Sequence, residues 1–235
     1  MRRPDKFHFG TNRGIAFENG RIFTVEMDGR VDALDAKTGK MLWRFYTVPG
    51  SPEQNKGNAV MEAAAKTWHG DYWKTGTGGT VWNGMTFDPE MNRIYLGVGN
   101  AGPDDPEKRS PAGGDNLYTS SVVALDANTG KYIWHYRENP RDSWDYKATP
   151  NIVMATLSLD GKPKKVLMHA PTNGFFYVLD RVNGKVISAG KATLVTWAKG
   201  IDLKTGRPIE NPDIRYEKGA TEIWPGAVVA ITGRR

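Results

Sequence analysis

The stretch RDSWDYKATP, from Arg141 to Pro150, sets one carboxylate, Asp145, between Trp144 and Tyr146 and places an amine, Lys147, two residues further on. An acid in that setting suits two kinds of chemistry. It can be half of a strand-edge ion pair, or a proton acceptor in a part-buried pocket, where lost solvation tunes a carboxyl toward base strength. On a strand, residues two apart share a face, so Lys147 is expected to pair with Asp145 and lower its pKa. Other reactive groups are scarce. The chain has no cysteine, which excludes disulfides, thiolate nucleophiles and zinc–thiolate sites. Its four histidines, His8, His69, His135 and His169, show no metal-ligand spacing. The string GTGGT lacks the Gly-Lys-Ser/Thr of a phosphate loop and leads into a strand signal.

The elements that must position Asp145 are legible in a repeat. ALDAKTGKMLW (Ala33 to Trp43) recurs as ALDANTGKYIW (Ala124 to Trp134), more weakly as VLDRVNGKVIS (Val178 to Ser188), and GIDLKTGRPI (Gly200 to Ile209) keeps the turn alone. In each copy an aspartate precedes a glycine by four residues: Asp35/Gly39, Asp126/Gly130, Asp180/Gly184 and Asp202/Gly206. That is a hairpin in which an apolar strand ends at the Asp, the Asp side chain caps the turn, and the Gly supplies the positive φ that closes it. The interval from Asp126 to Asp180 is 54 residues, about one propeller blade, and Asp35 to Asp126 is 91, about two. GRIFTVEM, RIYLGVGN, SSVVAL, KKVLMHA and GFFYVL supply further strands, and Asn58 to Trp68 is expected to form a short insertion helix.

Bulk properties agree with an all-β protein rich in turns and aromatics. The 235 residues are 39% hydrophobic and 25% charged, with 27 Gly, 14 Pro and 8 Trp. The net charge of +6 is spread along the chain, and its densest cluster, Gly161 to Lys165, falls at an expected hairpin tip. No aromatic–basic alternation points to nucleic acid. No apolar run reaches the length of a membrane span, and MRRPDKFHFG lacks the apolar core of a signal peptide, so a soluble chain without an export address is expected.

Several strings occurring in order, among them NRGIAF, WRFYTVPG, GTGGTVW, YLGVGN, SPAGGDNLYTSSVVALDANTGKYIWHY, SWDYKATP and KVLMHAPTNGFFYVLDR, resemble the quinoprotein alcohol dehydrogenases of the methanol/ethanol type. The resemblance runs from about Phe7 to about Arg215. It implies an eight-bladed β-propeller holding pyrroloquinoline quinone (PQQ) and a calcium or lanthanide ion. Here the length leaves about four to five blades, a single incomplete propeller domain over residues 1–235. The implied reaction is oxidation of a primary alcohol to the aldehyde in the periplasm, with electrons passed to cytochrome c or a similar acceptor.

By resemblance, Trp82 is the indole under the quinone, Thr80 and Thr172 contact the cofactor, Arg13 pairs with one of its carboxylates, Asn100 ligates the metal, and Asp145 is the catalytic base. Each also has a plainer reading: Trp82 as core, Asn100 as a turn residue, Arg13 as surface charge, Asp145 as the ion-pair partner of Lys147 or Arg141. Four departures from the family pattern stand out. Lys40 runs directly into Met41 where relatives carry about one more blade with a metal-binding glutamate. The adjacent cysteine pair of many family members would lie before Met1. Thr172 stands where Lys or Arg is usual. The family pattern ends near Arg215. Lanthanide-type members carry an aspartate at the position of Lys147, which favours calcium. The expected function is therefore such a dehydrogenase or an inactive remnant of one, with a non-catalytic propeller-like binding or assembly scaffold as the alternative.

Overall fold

The four Asp–Gly turns set the architecture. In the computed structural model, which describes residues 15–75, 78–83, 85–219 and 222–226, each repeat aspartate accepts from backbone N–H groups of its own turn. Each repeat glycine donates back to the Asp carbonyl at 2.7–2.8 Å with φ between +67° and +74°. The turns connect antiparallel strands. β1 (Ala16–Glu18), β2 (Arg21–Val25), β3 (Arg30–Asp35) and β4 (Met41–Tyr46) form one four-stranded sheet in sequence order. β5 (Thr86–Asp88), β6 (Arg93–Gly97), β7 (Ser121–Asp126) and β8 (Tyr132–Arg137) form the second. β9 (Val153–Leu159), β10 (Lys162–His169), β11 (Phe175–Asp180) and β12 (Val186–Lys191) form the third, and β13 (Ala198–Ile201) with β14 (Pro208–Glu210) a two-stranded fourth. Four sequential antiparallel sheets of this kind are propeller blades in series.

Period-two alternation explains how the sheets stack. In the second sheet Ile94, Leu96, Val123 and Leu125 face a core shared with Phe23, Val31 and Phe45 of the first. The alternate residues Tyr95, Val122 and Ala124 face a second core built with Leu167, Tyr177 and Leu179 of the third. The middle sheet is thus buried on both faces, which is why RIYLG and SVVALD read as near-continuous apolar runs.

The tryptophan that ends each strong repeat is the joint between sheets. Trp43 lies against the Gly130 turn of the second sheet and donates from Nε1 to the Ala127 carbonyl at 3.1 Å. Trp134 lies in the same way against the Gly184 turn of the third. These contacts correct one expectation. Asp35 and Asp126 belong to consecutive sheets, so their 91-residue interval is one step and not two. The excess is taken up by three short helices, α1 (Pro52–Asn55), α2 (Ala59–Ala65) and α3 (Tyr72–Thr75), and by a long connection from β6 to β7 that carries α4 (Pro106–Arg109). The expected insertion helix is α2, capped by Asn58, whose side chain accepts the Met61 N–H at 3.2 Å.

Candidate functional site

Asp145 stands in the connection from β8 to β9, and this segment is an irregular loop rather than the expected strand. Buried groups fix it at both ends. His169, on β10, bonds through Nδ1 to Glu138 Oε1 at 2.6 Å and through Nε2 to the Pro150 carbonyl at 3.1 Å. Between those clips, the buried Asp142 carboxylate accepts the N–H groups of Trp144 (3.3 Å) and Tyr146 (3.2 Å). The Trp144 ring lies 4.9 Å from that of Trp197, and its Nε1 donates to the Ile214 carbonyl at 2.6 Å. Both flanking aromatics are core anchors, and the residue between them is left in the left-handed region at φ +62°. A non-glycine residue there is uncommon, though Asp tolerates it, and such strain concentrates at functional positions.

The residues singled out from the sequence converge here. Lys147 Nζ pairs with Asp145 at 2.9 Å, the two side chains being 21% and 14% exposed. The same ammonium lies over the Trp82 ring, 5.2 Å from its centre. The Lys147 N–H donates to Thr172 Oγ1 at 2.8 Å. Thr80 and Trp82 lie on an extended segment outside the regular sheets, held against residues 99–101 by bonds from Gly99 N to the Thr80 carbonyl (2.9 Å) and from Gly79 N to the Asn100 carbonyl (2.8 Å). A Cβ on Gly78 would sit 2.5 Å from the Asn100 carbonyl oxygen, so glycine permits the close approach of these two segments. Asn100 in turn donates to Asp104 Oδ1 at 3.3 Å. Thr80, Trp82, Asn100, Asp145 and Thr172 are thereby linked through Lys147 and the 99–104 connection. Arg13 lies outside the described residues.

The electrostatics differ from expectation at Asp145. Burial pushes its carboxyl above the ordinary range and outweighs the opposing pull of Lys147, while the nearby Asp104 charge adds to the rise. The ion pair exists as expected, but the lowered pKa does not follow, because the loop buries the acid. Burial also raises Asp142, to about 7, against the Arg109 charge. Arg109 was not anticipated from the sequence, where it is one basic residue among many. It is fully buried and donates to Asn116 Oδ1 (2.9 Å), to the carbonyls of Pro103 (2.9 Å) and Asp104 (2.8 Å), and to the Asp142 carbonyl. Burial lowers its pKa to about 10. One side chain therefore ties the Asp104 segment to the loop that holds Asp145. Beside Arg141 in that loop lies a cavity of about 550 Å³. The arginines on its wall, Arg141, Arg207 and Arg215, are paired with Glu107, Asp115, Glu210 and Glu217 as a salt-bridge network that closes the β14 end of the chain onto the loop.

The donor chemistry suits a planar anionic ligand better than a divalent ion. The half-buried indole of Trp82, the Lys147 ammonium over it and the exposed Thr172, whose hydroxyl accepts the Lys147 N–H, bring an aromatic surface, a charge and a hydrogen-bonding group together. A calcium ion wants about six oxygens with compensating charge. Asn100 directs its amide nitrogen at Asp104, and Lys147 already neutralises Asp145. Among the described residues no group of three or more His, Cys, Asp or Glu is placed to hold a metal.

Comparison with known proteins bears on the family and the fold. The family model for the PQQ-type glucose/ethanol/alcohol dehydrogenase β-propeller domain matches residues 16–196. The quinohemoprotein alcohol dehydrogenase ADH IIB of Pseudomonas putida is 58% identical over 198 residues, 84% of this chain and 29% of that protein. The 1-butanol dehydrogenase (cytochrome c) of Thauera butanivorans is 38% identical over 274 residues, 92% of this chain and 38% of that protein. The crystal structure of the quinohemoprotein alcohol dehydrogenase from Comamonas testosteroni superposes with a TM-score of 0.81 at 38% identity, covering 92% of this chain and 40% of that one. The chain therefore spans well under half the length of the relatives it matches.

Proposed function

The chain belongs to the PQQ-dependent alcohol dehydrogenase β-propeller family, and from that premise we propose that it binds PQQ on Trp82 and takes part in oxidising a primary alcohol, with Asp145 as the proton acceptor. The observation that carries this reading is the convergence of Trp82, Lys147, Asp145 and Thr172 from three separate stretches of sequence. Bound there, PQQ would supply the hydride acceptor. The protein's own contributions are distinct from that chemistry. Trp82 offers the stacking face, with Thr80 and Thr172 as hydroxyl partners and Arg13 as the proposed partner of a cofactor carboxylate. Asp145, with its pKa raised by burial, is better matched to taking a hydroxyl proton near neutral pH than a solvated carboxylate would be. The Lys147 ammonium holds that carboxylate in place, so its orientation is set before substrate arrives.

The calcium ion implied by the resemblance does not fit the donor set around Asn100, and no step is assigned to it. By likeness to the relative named for cytochrome c, a c-type cytochrome is the proposed electron acceptor, and the family resemblance alone proposes the periplasm as the location. We also propose that one blade has been lost at Lys40–Met41. An alignment of 274 positions that covers 92% of this chain leaves about one blade's worth of the relative without a counterpart here. The β3–β4 hairpin nonetheless closes across Lys40–Met41 with Ala33 opposite Trp43, the same register as Ala124 opposite Trp134. Loss of one whole repeat between equivalent points would leave such a continuous hairpin.

One observation favours the alternative of a non-catalytic scaffold: the Asp145 carboxylate is already engaged by Lys147. Dye-linked oxidation of ethanol by PQQ-loaded protein separates the two. Activity that falls about a hundredfold or more in Asp145→Asn, the scale of a lost general base, supports the enzyme. Quinone uptake without turnover supports the scaffold.

A further inference from the structure

Beyond holding Asp145, Lys147 has no part of its own in the alcohol oxidation proposed above. Its ammonium has three N–H donors, of which Asp145 takes one. It is fixed from three directions: the backbone N–H is bonded to Thr172 Oγ1, the side chain is anchored on Asp145, and the head lies over the Trp82 ring. The adjoining peptide is held as well, because Ser120 Oγ donates to the Tyr146 carbonyl at 2.7 Å. A lysine this constrained has already lost the side-chain entropy that ordinarily weakens a surface ammonium as a binding group.

Resting on the reading of Trp82 as a quinone platform, we propose that Lys147 is the built-in cation of this site. It receives an anionic oxygen of the planar quinone stacked on the indole, so that the chain takes up its cofactor without a divalent ion. A divalent ion near Asn100 and Asp145 would have to displace or tolerate the ammonium held 2.9 Å from the Asp145 carboxylate, and like charges at such range repel. The carboxylate that could compensate a metal instead compensates the lysine. Lys147 still has N–H donors beyond the one Asp145 takes, and these can meet an anionic oxygen of the quinone beside the indole without the oxygen ligands that calcium demands.

The test is equilibrium dialysis of the full chain against PQQ, in EDTA and in millimolar calcium, with Lys147→Met and Lys147→Arg beside the native protein. The trimethyl ester of PQQ serves as the uncharged ligand. Native protein is expected to bind PQQ equally with and without calcium and to prefer the acid over the ester by about tenfold or more, the scale of one charge-assisted contact. Lys147→Met should cut that preference about tenfold, to what Arg13 supplies, while still binding the ester, and Lys147→Arg should keep it. A fall in the acid-over-ester preference alone reports on the ammonium, since a merely structural defect would weaken both ligands. Native binding that appears only with calcium, or an unchanged preference in Lys147→Met, overturns the proposal while leaving the quinone reading intact. Failure of native protein to bind either ligand under either condition removes the quinone reading, and this proposal with it.

Discussion

The indole of Trp43 rests on the glycine turn of the neighbouring sheet: a Cβ built on Gly130 would lie 2.6 Å from its ring carbons. Gly39 occupies the equivalent turn of the first sheet with nearly the same φ, +72° against +67°, yet a Cβ there meets nothing within 4 Å. The pair separates backbone strain from packing. Gly39→Ala should lose about 1 kcal/mol, the strain of a left-handed alanine. Gly130→Ala should lose that and about 1–3 kcal/mol more, because Trp43 must move. Thermal melts of the two variants give the difference directly, and equal losses would show that Trp43 does not act as the joint.

Two buried groups should each contribute stability that is lost as the solution is made more alkaline. Burial works against a protonated His169, but Glu138 and the Pro150 carbonyl outweigh it and hold the pKa above the ordinary 6.5. A raised histidine stabilises fully below its unfolded pKa and ceases to do so as pH rises through the folded value. Asp142 acts with the same sign in a lower window. The folded state keeps a proton that the unfolded state gives up between 3.8 and about 7, so stability declines across that range. His135, whose pKa burial lowers to about 4, acts with the opposite sign up to about 6.5, so each group is read from the difference between native and variant melts against pH. Asp142→Asn should remove a downward component between about 4 and 7 and His169→Gln one at higher pH.

At Asp145 the expected shift is upward when Lys147 is removed. Burial already raises this carboxyl and Lys147 opposes the rise, so Lys147→Met should raise the midpoint further. Carboxyl carbon chemical shifts followed against pH would report it. An unchanged midpoint would mean that the ammonium does not couple to this acid.

Arg109 should matter more than its distance from Asp145 suggests. Arg109→Met leaves the Asn116 side-chain oxygen and the carbonyls of Pro103, Asp104 and Asp142 without their buried donor. The loss should be about 3 kcal/mol or more, the scale of leaving buried polar groups unpaired. Hydrogen exchange should quicken together in the 99–104 connection and in the loop from Glu138 to Pro150, since one guanidinium joins them. Faster exchange confined to either one would contradict that linkage.

The parts legible in the sequence were those with a local cause. The Asp–Gly turns announced themselves because cap and positive-φ residue lie four apart, and Asn58 marked the start of α2. The spacing from Asp35 to Asp126 misled, because residues inserted between blades look like another blade when only intervals are counted. Asp145 and Lys147 were recognisable as partners, but their loop was not. Its shape depends on Glu138 meeting His169 and on Trp144 meeting Trp197, contacts between residues that lie 31 and 53 positions apart. The raised Asp145 pKa was hidden for the same reason, since burial is a property of the fold. Arg109 offered no signal, because a buried guanidinium bonded to carbonyls has no sequence partner to betray it.

The central claim is that Trp82 is a quinone platform, and the most direct measurement is the dissociation constant of PQQ for the native chain and for Trp82→Ala by equilibrium dialysis, with circular dichroism confirming that both are folded. Saturable binding to the native protein, weakened about tenfold or more in Trp82→Ala, is the expected result, tenfold being the scale of a lost aromatic stacking contact. Equal binding by the two proteins, or no binding by a folded native chain, would contradict it.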